Sequence, residues 1–328
     1  MLNKVTLKST GTSWGLRLTT ALLLGSAMMV VPTIAYSNDI YINQVGDDVT
    51  ISITQDGDDN RVSRKEDTVN STPNKATFVG KNQTLTVTQT GDKNFLGLYK
   101  HTYGPDTQNS GTMTATQIGD DNVMRLDNHG DDNDFTAVQE TDGSTMDLEI
   151  DGNDNTVTAK QKCSETTCNP DTMEMNVIGG NNTILMGQGY KISSSGNWDY
   201  DYQEHGGHDM NLDITGDYNT VTLSQRSNNS LSDHNMDVDI NNDSNDVHVI
   251  QEHNSDKSLS LTINNSYNDV SIHQRKAHGH SATVTIDGTY NTQLDLQQGT
   301  NSTTQALSYT LNQYCVTQGG CAVTVTQQ

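Results

Sequence analysis

"MTATQIGDDNVMRL", residues 113–126, carries two signals at once. Met113, Ala115 and Gln117 alternate with threonines. Gly119-Asp120-Asp121-Asn122 interrupts, and Met124 and Leu126 resume the alternation. A period of two on both sides of a turn means two strands, each with one buried face. The turn has near-copies: "QDGDDN" at 55–60, "QTGDKN" at 89–94 and "NHGDDN" at 128–133. An enzyme needs one site, so many similar turns point to architecture before chemistry.

The asparagine of each turn serves as an anchor: Asn60, Asn94, Asn122, Asn155, Asn182, Asn219, Asn245, Asn268 and Asn291. Apolar residues stand nine and seven positions before each, from Ile51 and Ile53 to Ala282 and Val284. Five before is Gln55, Gln89 or Gln117 in the early copies, then Ile150, Val177, Ile214, Ile240, Ile263 and Ile286. Three before is glycine or asparagine; Gly57, Gly91, Gly119, Gly130, Gly152, Gly179, Gly216 and Gly288 are the turn glycines, Gly130 preceding Asn133. Glycine there suits a positive φ or tight curvature, and the adjoining Asp and Asn bond their own backbone in turns. Downstream, six arms alternate to Gln139, Gln161, Gln188, Gln225, Gln251 and Gln274. After Asn291 the apolar residues are Leu294 and Leu296, one step off, which predicts a bulge or slip.

Strands beginning at Met113, Met124, Phe135, Met146 and Val157 follow one another every eleven residues, so a coil of two strands takes about 22 residues. A meander of hairpins would need a separate cover for its apolar face, and no second class of segment exists to supply one. A two-sheet β-solenoid covers its own apolar faces, with equivalent positions stacked at ~4.8 Å. The expected fold is therefore all-β, a two-sheet strand-turn-strand solenoid over residues 38–328 with variable loops between coils. The Asn and Gln positions share the inward parity of the Val and Ile beside them. A lone buried amide is costly, but stacked amides satisfy one another in ladders.

Composition agrees with a flat, repetitive core. Of 328 residues, 31% are hydrophobic and 5% aromatic, and mean hydropathy is −0.67. The net charge of −23 excludes nucleic acid as a partner, because phosphates would be repelled. Lys4, Lys8 and Arg17 precede the apolar run Leu18–Val31, Pro32 and a small-x-small "AYS" at 35–37. That order reads as a secretory signal peptide over 1–37. Its removal takes away three positive charges and no acid, leaving about −26, with no transmembrane segment in the mature chain. Export suits disulfides within the local pairs Cys163/Cys168 and Cys315/Cys321; metal ligation and free thiols are the other readings of the same spacing. The longest connectors are 67–84, 101–112 and 189–209, the last containing "WDYDYQ". Such loops are either tolerated insertions or recognition elements.

At "QVGDD", "QDGDDN", "QTGDKN" and "QIGDDN" the chain resembles the curlin repeat, Ser-x5-Gln-x-Gly-x-x-Asn-x-Ala-x3-Gln. The asparagine, the glycine three before it and the glutamine six after it fit across most of 40–300. The glutamine five before fits only at Gln44, Gln55, Gln89, Gln117 and Gln139, and the repeat's serine only at Ser144. Val, Leu, Ile or Phe replaces its alanine. The resemblance implies a secreted bacterial subunit of extracellular amyloid fibres in biofilm matrix. It also implies self-association, a nucleator subunit and an outer-membrane secretion channel as partners. The competing expectations are a monomeric cell-surface adhesin and a calcium-responsive matrix protein. Asp-rich turns suit calcium oxygens but lack the glycine pattern of calcium β-rolls; no other cofactor is expected. "HGGH" (205–208) and "HGH" (278–280) are the remaining metal-capable stretches. No nucleophile elbow, phosphate loop or HExxH occurs, so no catalytic residue is assigned and no enzyme is expected.

Overall fold

The computed structural model describes residues 4–9, 38–44, 50–64, 67–68, 76–78, 82–98, 111–128, 130–162, 172–192, 198–199, 209–225, 234–241, 246–251, 257–264, 268–274, 280–285, 292–299, 307–310 and 321–325. These form strands and turns, with no helix among them. Twelve parallel strands make a long face, from Lys4–Ser9 through Thr50–Asp56, Gln83–Thr90, Gly111–Ile118 and onward to Cys321–Val325. Opposite it runs a short face. Seven strands from Asp209–Met210 to Asp39–Ile40 form one sheet, and four from His234–Asn235 to Leu307–Thr310 form another. Apart from two short side pairs, Ile42–Gln44 with Ala76–Phe78 and Lys191–Ile192 with Trp198–Asp199, successive strands alternate between the faces, and strands one coil apart pair in parallel. This is a two-sheet β-solenoid.

Register explains the core. On the long face Ile51 pairs with Leu85, Leu85 with Met113, Met113 with Phe135 and Phe135 with Val157. The columns continue through Ile184, Val221, Val247 and Val270 to Leu294 and Val323. On the short face Val62, Leu96, Met124 and Met146 stack likewise. One continuous apolar cluster runs from Ile51 to Leu296 between the faces. Each coil buries its neighbour's apolar edge, which is how so small an apolar fraction suffices. The coil takes 22 residues where Thr112 pairs with Asp134 and Asp134 with Thr156; elsewhere connectors lengthen it.

The expected slip after Asn291 takes a different form. Val270 pairs with Leu294 and Ile272 with Leu296, so both leucines stay on core parity. Asn268 pairs with Thr292, so the strand falls into register one residue later than the 23-residue spacing from Asn268 to Asn291 predicts. Asn291 itself lies outside the described residues.

The short face changes character along its length. Its early strands, Arg61–Arg64, Phe95–Leu98 and Val123–Leu126, have four residues each; from Thr172–Met173 to Lys257–Ser258 they have two. Met236, Val238 and Ile240 remain buried, but Asp237, Asp239 and Asn241 between them adopt φ of 63°, 56° and 64°. Asp and Asn enter the left-handed region more readily than β-branched residues do. Inward parity therefore survives while the regular ladder does not.

Candidate functional site: two corners, one glutamine column and an open end

The repeat read from sequence resolves into two corners at opposite edges of the coil. Asn60, Asn94 and Asn122 follow a long-face strand and lie at the first corner. Asn155, Asn182 and Asn219, with Asn133, precede one and lie at the second. Asn268 opens a long-face strand, and Asn245 lies outside the described residues. The single nine-anchor alignment is thereby corrected. Its fifth position before the anchor is the long-face glutamine at the first corner and the short-face Ile or Val at the second. The glutamines before Asn60, Asn94 and Asn122 and those after Asn155 and Asn182 consequently belong to one column.

That column is fully buried, with Gln55, Gln89, Gln117, Gln139, Gln161, Gln188, Gln225, Gln251, Gln274 and Gln298 all at most 1% exposed. The Nε2 of Gln55 donates to Oε1 of Gln89 at 2.7 Å, and Gln89 to Gln117 at 2.8 Å. Gln117 donates to Gln139, Gln139 to Gln161 and Gln161 to Gln188, at 2.8–3.0 Å. The second Nε2 hydrogen goes to backbone, as from Gln89 to the Asn94 carbonyl at 3.1 Å. Beyond Gln225 the polarity reverses. Gln274 donates back to Gln251 at 2.6 Å and Gln298 back to Gln274 at 2.7 Å. Gln225 sits between the two runs with neither amide atom hydrogen-bonded.

The asparagines bond differently from stacked side chains alone. At the first corner the amide of Asn60 donates to Oδ1 of Asn38, Asn94 to Asn60 and Asn122 to Asn94, at 2.9–3.2 Å. Their Nδ2 groups donate to the next coil's backbone, from Asn60 to the Gly91 carbonyl and from Asn94 to the Gly119 carbonyl, both at 2.6 Å. The second corner repeats this through Asn133, Asn155, Asn182 and Asn219. There Asn155 also donates from Nδ2 to Oδ1 of Asn133 at 3.0 Å.

Two kinds of glycine serve these corners. Gly57, Gly91 and Gly119 have φ of 112°, 103° and 107°. Gly130, Gly152 and Gly179 are required instead by close approach. A Cβ on Gly152 would lie 2.0 Å from the Gly179 carbonyl oxygen, and one on Gly179 would lie 1.9 Å from that of Gly216. Gly288 lies outside the described residues. The residue just before each asparagine is also left-handed: Asp59, Lys93, Asp121, Asp132, Asp154, Asn181 and Tyr218.

One function of the turn aspartates was not read from the sequence. The Asp58 amide donates to Oδ1 of Asp92, Asp92 to Asp120 and Asp120 to Asp142, at 2.7–2.8 Å. Each carboxylate thus accepts from the preceding coil. Its two-before-anchor position was visible, but the acceptor role depends on stacking. Carboxylates also crowd where coils align. Burial and Asp58 raise the pKa of Asp59. Burial, then Asp213 and Asp237, raise that of Asp239. Among the described residues, no group of three or more His, Cys, Asp or Glu is arranged to hold a metal ion.

The long connector after Gln188 starts on the outer surface of the long face. Tyr190 is buried, its carbonyl accepting from Ser224 Oγ at 2.6 Å, with Lys160 and Lys162 each 5.7 Å from its ring centre. Lys191–Ile192 then pairs antiparallel with Trp198–Asp199. Cys163, Cys168 and Cys315 lie outside the described residues, and Cys321 begins the last long-face strand. No helix among the described residues is long and apolar enough to cross a membrane.

Neither a protein-family model, nor a curated protein, nor a solved structure matches this chain. What the geometry defines is a class: a solenoid whose repeated polar residues are spent on joining coil to coil.

Proposed function

We propose that the chain from residue 38 onward is a secreted structural subunit of curli-like extracellular fibres, contributing to biofilm matrix and adhesion. One observation carries the reading: the long face continues in parallel register to Cys321–Val325, the last strand in its order, which among the described residues pairs with Thr292–Leu296 on one side alone. A parallel strand with one free edge presents unpaired backbone groups to another chain. Val323 and Val325 continue the core columns by register, so a further coil would extend apolar and backbone stacking together. Self-association is the central partnership in this reading; a nucleator and an outer-membrane channel are its further partners, carried by the curlin resemblance.

Purified chain from residue 38, incubated without denaturant, is expected to give thioflavin-positive fibres diffracting at ~4.7–4.8 Å. A persistently monomeric, dye-negative protein would sink the fibre reading and leave the adhesin.

A further inference from the structure

Residues 4–9 belong, on the sequence reading, to the basic start of a removable leader. In the structure Lys4–Ser9 is the first strand of the long face. It pairs in parallel with Thr50–Asp56 over six residues: Lys4 with Thr50, Val5 with Ile51, Leu7 with Ile53 and Ser9 with Gln55. Apolar residues therefore stand at the two core columns, and a hydroxyl residue stands at the glutamine column. The register is the one each true coil uses. Without this strand, Thr50–Asp56 would be the end of the long face, and Ile51, Ile53 and Gln55 would lose their neighbours on one side.

The polarity of the glutamine column makes that end specific. Gln55 donates inward to Gln89, so its Oε1 is the acceptor that terminates the run. Strand Lys4–Ser9 also ends growth well. Of its three positions in register with the alternate residues Thr50, Ser52 and Thr54, two are lysines, Lys4 and Lys8, on a chain of net charge −23. Lysine on an edge strand discourages a further strand from adding.

We propose that residues 4–9 are a detachable cap on the N-terminal end of the long face. Their removal uncovers a strand-accepting edge at Thr50–Asp56, whose occupant is the Cys321–Val325 edge of a second copy. This rests on the fibre reading for its occupant, but the cap itself does not. With the leader attached, the described long face is open at Cys321–Val325 alone; without it, Thr50–Asp56 becomes a second, complementary edge.

The full chain is compared with its Val5→Pro/Leu7→Pro variant, since proline cannot donate to a sheet ladder. Hydrogen exchange of the Thr50–Asp56 amides is expected to be at least about tenfold faster in the variant, as for a frayed edge. Equal exchange in the two chains overturns the cap, whether or not fibres form. Thioflavin kinetics are then followed for the full chain, the variant and the chain from residue 38. Shorter lags for the latter two support the second-copy occupant. Uncapped chains that lose protection yet stay monomeric overturn that occupant, and with it the fibre reading. Fibres from all three with equal lag, and unchanged exchange, overturn the cap and leave the fibre reading standing.

Discussion

Gln139 and Gln225 occupy the same column, are equally buried and have opposite prospects on substitution. Gln139 donates to Gln161 and accepts from Gln117. Gln139→Met would strand two buried amide groups and is expected to cost about 2 kcal/mol, read as a lower denaturation midpoint in urea. Gln225 bonds nothing through its amide, so Gln225→Met is expected to be neutral or to stabilise by about 1 kcal/mol in the same assay. The corners allow a second contrast. Gly119→Ala would place a Cβ 2.1 Å from the Thr141 carbonyl oxygen at a φ of 107°, and a loss of at least about 2 kcal/mol is expected. Asp120→Asn keeps the oxygen that accepts from the Asp92 amide while removing one of a row of like charges. Thermal unfolding at neutral pH is expected to show it no less stable than the parent, whereas Asp120→Ala loses about 1 kcal/mol.

Between paired strands, electrostatics sets a pH dependence. On Asp246–Ile250, burial lowers the pKa of His248 below its ordinary 6.5, against the pull of Asp246. Burial and then Asp269 raise that of Asp246 above 3.8. Unfolding lets His248 take up a proton in the window between its lowered folded pKa and 6.5, so that group makes stability fall as pH falls through the window. Asp246 works in reverse: its folded form holds a proton between 3.8 and its raised value, so stability rises as pH falls there. NMR titration is expected to place His248 below 6.5, and Asp269→Asn to bring Asp246 back toward 3.8. An unshifted His248 would contradict its burial between coils. The inter-coil ion pairs Arg125–Asp147 and Lys162–Glu140, both at 3.8 Å, are partly exposed and add little.

Across the molecule, the tight corner changes edge. It follows the long face at 57–60, 91–94, 119–122 and 141–144, and precedes it at 130–133, 152–155, 179–182 and 216–219. Connectors take the other edge, so insertions leave one side in the first third and the opposite side afterwards. Among the described residues, both corners are tight around residues 119–155. Hydrogen exchange is expected to be slowest in Gly111–Ile118, Asn133–Glu140 and Thr156–Lys162, and to show a step near Gln225, where the two glutamine runs of opposite polarity meet. Uniform protection across Thr220–Gln225 would contradict that division.

Alternation alone identified which residues face inward: Met113 and Ala115, Val157 and Ala159, even Met236 and Val238 where the backbone leaves the regular ladder. It did so because parity is a local property of an extended chain, and burial of one face selects it. The eleven-residue spacing likewise fixed two strands per coil. The identity of each corner was beyond reach, because the same Gly-x-x-Asn turn serves both edges and no residue marks which face precedes it. Nor could one sequence show that Asp120 accepts from Asp92, that the glutamine run reverses at Gln225, or that residues 4–9 pair with Thr50–Asp56. Those facts depend on which coil lies beside which, and only tertiary stacking decides that.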